Sequence, residues 1–267
     1  LAYMGFKDYD YLENANPEQF KKVMFDNIEE EEHPRIKAGL RAALMPSLDP
    51  KISVIYGKSG AGKSTGLNIL GRLLGQYALF VDLDKLVNDR FMTAKVKGKT
   101  LMVLQELPST FKDYALLKKL TGDKIISERG FQQDVDEGFE NTLKIHAATN
   151  HCFKIPNNHK DAMYTRRLSM SKKATPLKPY PENNDFDDDI IKNEGSEILS
   201  WILNLTDKEC QYEDKKTIQS NWEVIANPEM KWIEENYQYK KSEGMSLHEL
   251  CRTFKKENKD NQTNVEA

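Results

Sequence analysis

Nine consecutive residues, Gly57-Lys58-Ser59-Gly60-Ala61-Gly62-Lys63-Ser64-Thr65, have the types and spacing that hold the phosphates of a nucleotide. They fit G-x-x-x-x-G-K-[ST], with Gly57, Gly62, Lys63 and Ser64 at the fixed places. Glycines at 57, 60 and 62 allow the backbone to turn its N–H groups toward phosphate oxygens, and the first turn of a following helix adds its positive end. In such a loop Lys63 neutralises the β- and γ-phosphates, while the Ser64 hydroxyl is a ligand for Mg²⁺. A nucleoside triphosphate with Mg²⁺ is therefore the expected occupant.

Further candidates fall where apolar runs end. Gln105-Glu106 follows one such run, and a carboxylate at a strand tip beside a phosphate loop orients and polarises an attacking water, so Glu106 is the candidate general base. The run KIHAAT delivers Asn150, whose amide would hold that water or touch the γ-phosphate. Arg166 and Arg167 precede a short apolar strand; at a subunit boundary such a pair would reach a neighbour's nucleotide, and otherwise it is a solvated basic pair. His146, His151, Cys152 and His159 are accounted for by a buried strand and the loop after it rather than by zinc. Asp185 to Asp189 lacks the glycine and terminal glutamate of a calcium loop and leads into a helix. Trp201, Trp222 and Trp232 stand in apolar contexts that suit a core. Arg252, Lys255 and Lys256 give a terminal helix a basic face, for DNA or for solvent.

The elements that must position these groups follow from periodicity. Ile52 to Tyr56 is a β-branched strand before the loop, and Leu67, Leu70, Leu73 and Leu74 recur at helical spacing after it. Strand candidates at 77–81, 100–104, 143–148 and 168–170 alternate with helices, which predicts an α/β fold with a largely parallel sheet covered on both faces. Amphipathic stretches at 17–27 and 34–44 predict an N-terminal helical domain over residues 1–50. The core is expected over 51–180, and a C-terminal helical region with a disordered tail over 181–267. Within these, 172–189 reads as a polar linker, and 196–205, 228–237 and 246–257 read as helices.

Composition sets the outer limits. A formal net charge of −3 over 267 residues gives no global basic surface, so nucleic acid would need a local patch or an assembled channel. Three cysteines without paired spacing suit a reducing compartment. No run approaches the apolar length of a membrane span, so a soluble, cytoplasmic chain is expected. A start at Leu1 suggests a piece of a longer polypeptide.

Taken in order, GAGKST, LMVLQE, LLKKLTGDKIISER, KIHAATN and YTRRLSM resemble the motifs of the superfamily 3 helicases, in the branch fused to primases in phages, plasmids and large DNA viruses. The likeness extends outward to the helices before Ile52, to SEILSWILNL, and to LHELCRTFKKEN, which resembles a winged-helix segment. It implies an AAA+-like ATPase core forming a ring, commonly a hexamer, that moves 3′ to 5′ on single-stranded DNA beside a fused primase or polymerase domain. It further implies that Lys63 with Ser64 or Thr65 binds phosphate and metal, that Glu106 activates water and joins the metal site, that Asn150 is a sensor, and that Arg167, with Arg166 beside it, acts across the subunit interface. The host cell of a phage or plasmid is the implied location.

Two features depart from that pattern. Gln105 stands where the family has a second acid, which would reduce Mg²⁺ affinity and turnover. The DNA-contacting hairpin keeps only Lys124 and Arg129 as phosphate contacts, with Phe131 to stack on a base or to pack within the hairpin. Its tip, Asp134-Val135-Asp136-Glu137-Gly138, is acidic. A nucleotide-binding scaffold of a primase-polymerase, with little unwinding, is the first alternative; a small-molecule kinase on the same loop is the second.

Overall fold

The computed structural model of the chain describes residues 9–45, 52–82, 92–104, 107, 114–128, 137–150, 168–174 and 185–212. The strands are β1 (Ile52–Tyr56), β2 (Ala78–Val81), β3 (Leu101–Leu104), β4 (Ile125–Glu128), β5 (Glu137–Glu140), β6 (Lys144–Thr149) and β7 (Leu168–Lys172). The helices are α1 (Glu18–Phe25), α2 (His33–Leu44), α3 (Lys63–Leu74), α4 (Met92–Val96), α5 (Tyr114–Gly122) and α6 (Phe186–Asn204).

Five strands form one sheet in the order β2-β3-β6-β1-β7, and every pairing in it is parallel. Two of its inner strands, LMVL of β3 and KIHAAT of β6, are buried along their length, which is the pattern of strands covered on both faces. Because all five run the same way, the carboxyl ends of β1, β6 and β7 lie together: Tyr56 pairs with both Thr149 and Lys172. The glycine-rich loop after Tyr56 leaves the sheet at that end. The α/β architecture and the parallel sheet expected from the alternation are both present.

One hydrophobic core joins the helices to the sheet. Phe20, Met24, Ile36 and Leu40 from the N-terminal helices share it with Leu67 and Leu70 of α3 and with Ile198 and Ile202 of α6. An eight-residue helix such as α1 is marginal by itself, and it is fixed at both ends by opposite charges. At its start the buried Glu194 carboxylate accepts the N–H groups of Gln19 and Phe20 at 3.0 and 2.9 Å. At its end the Lys173 ammonium donates to the carbonyls of Val23, Met24 and Asp26 at 2.7, 3.3 and 2.8 Å. Both charges complement the helix dipole.

Two expectations are corrected. Lys172 closes β7 and α6 begins at Phe186, so the polar stretch read as a linker over 172–189 contributes to a strand at one end and a helix at the other. Its aspartates 187 to 189 form the first turn of α6, where the helix dipole favours them. Glu137 and Gly138, read as part of an acidic tip, belong to β5, paired with Glu128 and Ser127 of β4.

The chain divides into two compact units, Leu1–Asp214 and Lys215–Ala267, and all the described residues lie in the first. The helices read at 228–237 and 246–257 lie outside the described residues. No helix among the described residues is long and apolar enough to cross a membrane.

Candidate nucleotide-binding site

The loop from Gly57 to Gly62 joins β1 to α3, the strand-loop-helix order the motif needs. Gly60 and Gly62 have φ of 77° and 72°, the left-handed region that favours glycine, and Gly62 is the residue from which α3 starts. Gly57 is needed for a different reason: a Cβ there would stand 2.1 Å from the Lys173 carbonyl oxygen, inside any permissible contact. Its own N–H donates to Thr149 O at 3.2 Å, so the loop is anchored to β6 as it leaves β1.

Lys63 opens α3 and is 7% exposed. Its ammonium donates to Lys58 O at 2.7 Å, across its own loop, and to Asn150 Oδ1 at 2.8 Å, at the end of β6. Burial pushes this lysine below its ordinary pKa. An anion beside it would offset that cost, which is the electrostatic logic of a phosphate site. Lys58, Ser59 and Gly60 are exposed around the loop, Ala61 is buried beneath it, Ser64 is exposed in the first turn of α3, and Thr65 is half-buried. Among the described residues, a Cβ at Gly60 would meet nothing within 4 Å.

The other expected groups are located to different degrees. Asn150 is exposed and in direct contact with Lys63. Gln105 and Glu106 lie outside the described residues, but the chain on either side is placed: Leu104 pairs with Ala147, and Leu107 O accepts the Thr149 hydroxyl at 3.2 Å. Arg166 and Arg167 lie outside the described residues, immediately before Leu168, which pairs with Ile52 at the amino end of β1. Lys124 is exposed just before β4, whereas Arg129 and Phe131 lie outside the described residues. His151, Cys152 and His159 do so too, and His146 is buried on β6 with Nε2 at 3.0 Å from Gly39 O. Burial is the main cause that pushes its pKa down to about 4, so its ring is neutral at pH 7.

Lys173 is a site residue that sequence reasoning missed. It follows β7, is 1% exposed, and donates its backbone N–H to Tyr56 O at 2.8 Å, just before the loop begins. Its side chain holds the end of α1, while its carbonyl presses on Gly57. Burial lowers its pKa to about 8, with Asp26 opposing and Lys63 adding to the shift. In sequence it stands in SKKATPLK, where nothing separates it from a solvated lysine.

A family model described as a family of unknown function, DUF5906, matches residues 55–167, from the last two residues of β1 to the arginine pair. None of the curated proteins compared with the chain matches it. Among solved structures, the apo NrS-1 C-terminal region superposes with a TM-score of 0.62 at 13% identity over 82% of this chain, and an A-form apo structure of that region with 0.64 at 12% over 86%. The chain spans 54% and 59% of those two structures, so a little over half their length. At such identity the likeness is one of fold.

Proposed function

We propose that this chain is an ATP-dependent, ring-forming DNA helicase module of phage or plasmid replication, of the superfamily 3 kind, working beside a primase or polymerase domain. The observation that carries the proposal is the hydrogen bond between Lys63, at the start of the helix after the glycine loop, and Asn150, just past the end of the strand beside β1, which meet where a terminal phosphate would lie. A loop lysine gripped by a strand-end amide gives a site that both binds a triphosphate and senses its terminal group. Lys63 and the N–H groups of the loop would bind the phosphates, Asn150 would orient the attacking water or the γ-phosphate, and Glu106 would take the proton. Ser64, with Thr65 and Glu106, would supply the hard oxygen donors that suit Mg²⁺. Mg²⁺ when bound there offsets charge on the β- and γ-phosphates.

Topology supports a role for Arg167 in a neighbouring copy. Leu168 sits opposite Ile52, at the end of the sheet away from the phosphate loop, and β7 has five residues. At ~3.3 Å per residue, roughly 13 Å separates the start of β7 from the end that carries the loop. A guanidinium tethered just before Leu168 would serve another subunit's nucleotide, as a ring requires.

The hairpin favours a second reading. Its register sets two acidic residues, Glu128 and Glu137, opposite each other, and acidic residues repel a phosphate backbone. On that reading the ring binds nucleotide and organises an attached primase with little unwinding.

Steady-state ATP hydrolysis with and without a single-stranded oligonucleotide decides between them. The helicase reading expects stimulation by DNA, loss of about a hundredfold or more in Lys63→Ala and in Arg167→Ala, and partial recovery when the two variants are mixed. Slow turnover indifferent to DNA would favour the scaffold, and no recovery in demonstrably mixed rings would contradict the arginine acting between subunits.

A further inference from the structure

Between β5 and β6 the chain passes through Asn141, which is 9% exposed. Its side chain donates both amide protons to carbonyls at the end of α5, Leu120 O at 2.8 Å and Asp123 O at 2.9 Å. Its Oδ1 accepts the N–H of Leu143 at 3.1 Å, and its own N–H donates to Lys124 O at 2.9 Å. Carbonyls at a helix end have no partner within the helix, so this amide fills a need that α5 creates. One residue thereby joins the end of α5, the entry to β4 and the entry to β6.

What it joins is a small ribbon. The hairpin has four register pairs, and a two-stranded ribbon of that size is marginal in water. Ile126 is buried, but Ile125, Gly138 and Glu140 are exposed. The base of β6, in contrast, is firmly set: the Thr142 hydroxyl donates to Lys99 O at 3.0 Å and Lys144 N–H to Thr100 O at 2.8 Å. From there β6 runs buried through six residues, paired with β3 on one side and β1 on the other, to Asn150 and its bond with Lys63.

We propose that Asn141 is a positioning residue for the hairpin: it locks the hairpin and α5 to the amino end of β6, so that the hairpin takes its position from the strand whose other end contacts Lys63. The consequence for DNA rests on the helicase reading; the mechanical lock does not.

Asn141→Asp keeps the size of the side chain but replaces both donors with an oxygen facing two carbonyls, a repulsive arrangement. Amide hydrogen exchange on the full 267-residue chain gives the first arm. Exchange at 125–128 and 137–140 is expected to quicken about tenfold, while 52–56 and 63–74 stay as in wild type. Thr142→Val, which removes the neighbouring bond to Lys99, should leave the hairpin unchanged. If Asn141→Asp does not yield folded protein, Asn141→Ala removes the same donors without a charge. Unaltered hairpin exchange, or equal loosening at 52–56, overturns the proposal. In the second arm, basal ATP turnover should remain within about twofold of wild type while the oligonucleotide concentration for half-stimulation rises about fivefold. Equal loss of basal and stimulated turnover also overturns it. If wild-type hydrolysis ignores DNA, the helicase reading fails and the exchange arm alone decides the role of Asn141.

Discussion

Lys173 shows what a single side chain contributes here. A buried cation is expensive, and this one is kept by three carbonyls at the end of α1 while its backbone frames the first glycine of the phosphate loop. Its folded pKa, about 8, lies below the ordinary lysine value, so the folded chain binds fewer protons than the unfolded chain between the two. Stability from this group should therefore rise as pH climbs from about 8 toward the unfolded value, and the penalty should be fully present below that window. Urea midpoints of wild type and Lys173→Met, compared from pH 7 to 10, check this: the wild type should gain on the variant as pH rises, and a constant difference would contradict the buried-cation account. No sequence signal marked the residue, because its partners Val23 and Asp26 are about 150 positions away and meet it only through the docking of α1. Lys63 and Asn150 were legible for the opposite reason. Each belongs to a local pattern, a glycine loop or the end of an apolar strand, that carries its chemistry within a few residues.

At the scale of elements, the glycine loop depends on the strands beside it as much as on its own glycines. Gly57 hydrogen-bonds β6 through Thr149 and lies against the residue that follows β7, so three strand ends set where the loop begins. Gly57→Ala would drive a methyl group into a backbone carbonyl that cannot swing away. The variant should lose about 1–3 kcal/mol of stability. Nucleotide affinity should fall about tenfold or more, since the N–H groups that would meet phosphate lose their aim. Wild-type affinity in this variant would show that the close approach has no functional part. The strands themselves were legible as continuous apolar runs, and β1 was read to the residue. The hairpin is less so: an antiparallel pair with exposed Ile125 and mixed polarity lacks the alternation that fixes strand limits, which is why Glu137 and Gly138 read from sequence as part of a tip.

At the scale of the whole molecule, the Lys63–Asn150 contact and the hairpin base occupy opposite ends of β6, and the N-terminal helices share one core with α3 and the sheet rather than merely preceding it. Amphipathic spacing told which faces of α1 and α2 are apolar but not what they cover; that depends on Glu194 and Lys173, which are remote in sequence. The ring, the DNA strand and the reach of Arg167 into a neighbour are proposals that all presuppose one event, a triphosphate seated between Gly57 and Thr65. Equilibrium binding of MgATP to wild type and to Lys63→Ala, followed by calorimetry, tests that event directly. Wild type is expected to bind one nucleotide per chain, and Lys63→Ala to bind about tenfold or more weakly; absence of binding to wild type, or equal binding to both, would contradict a nucleotide held in this loop.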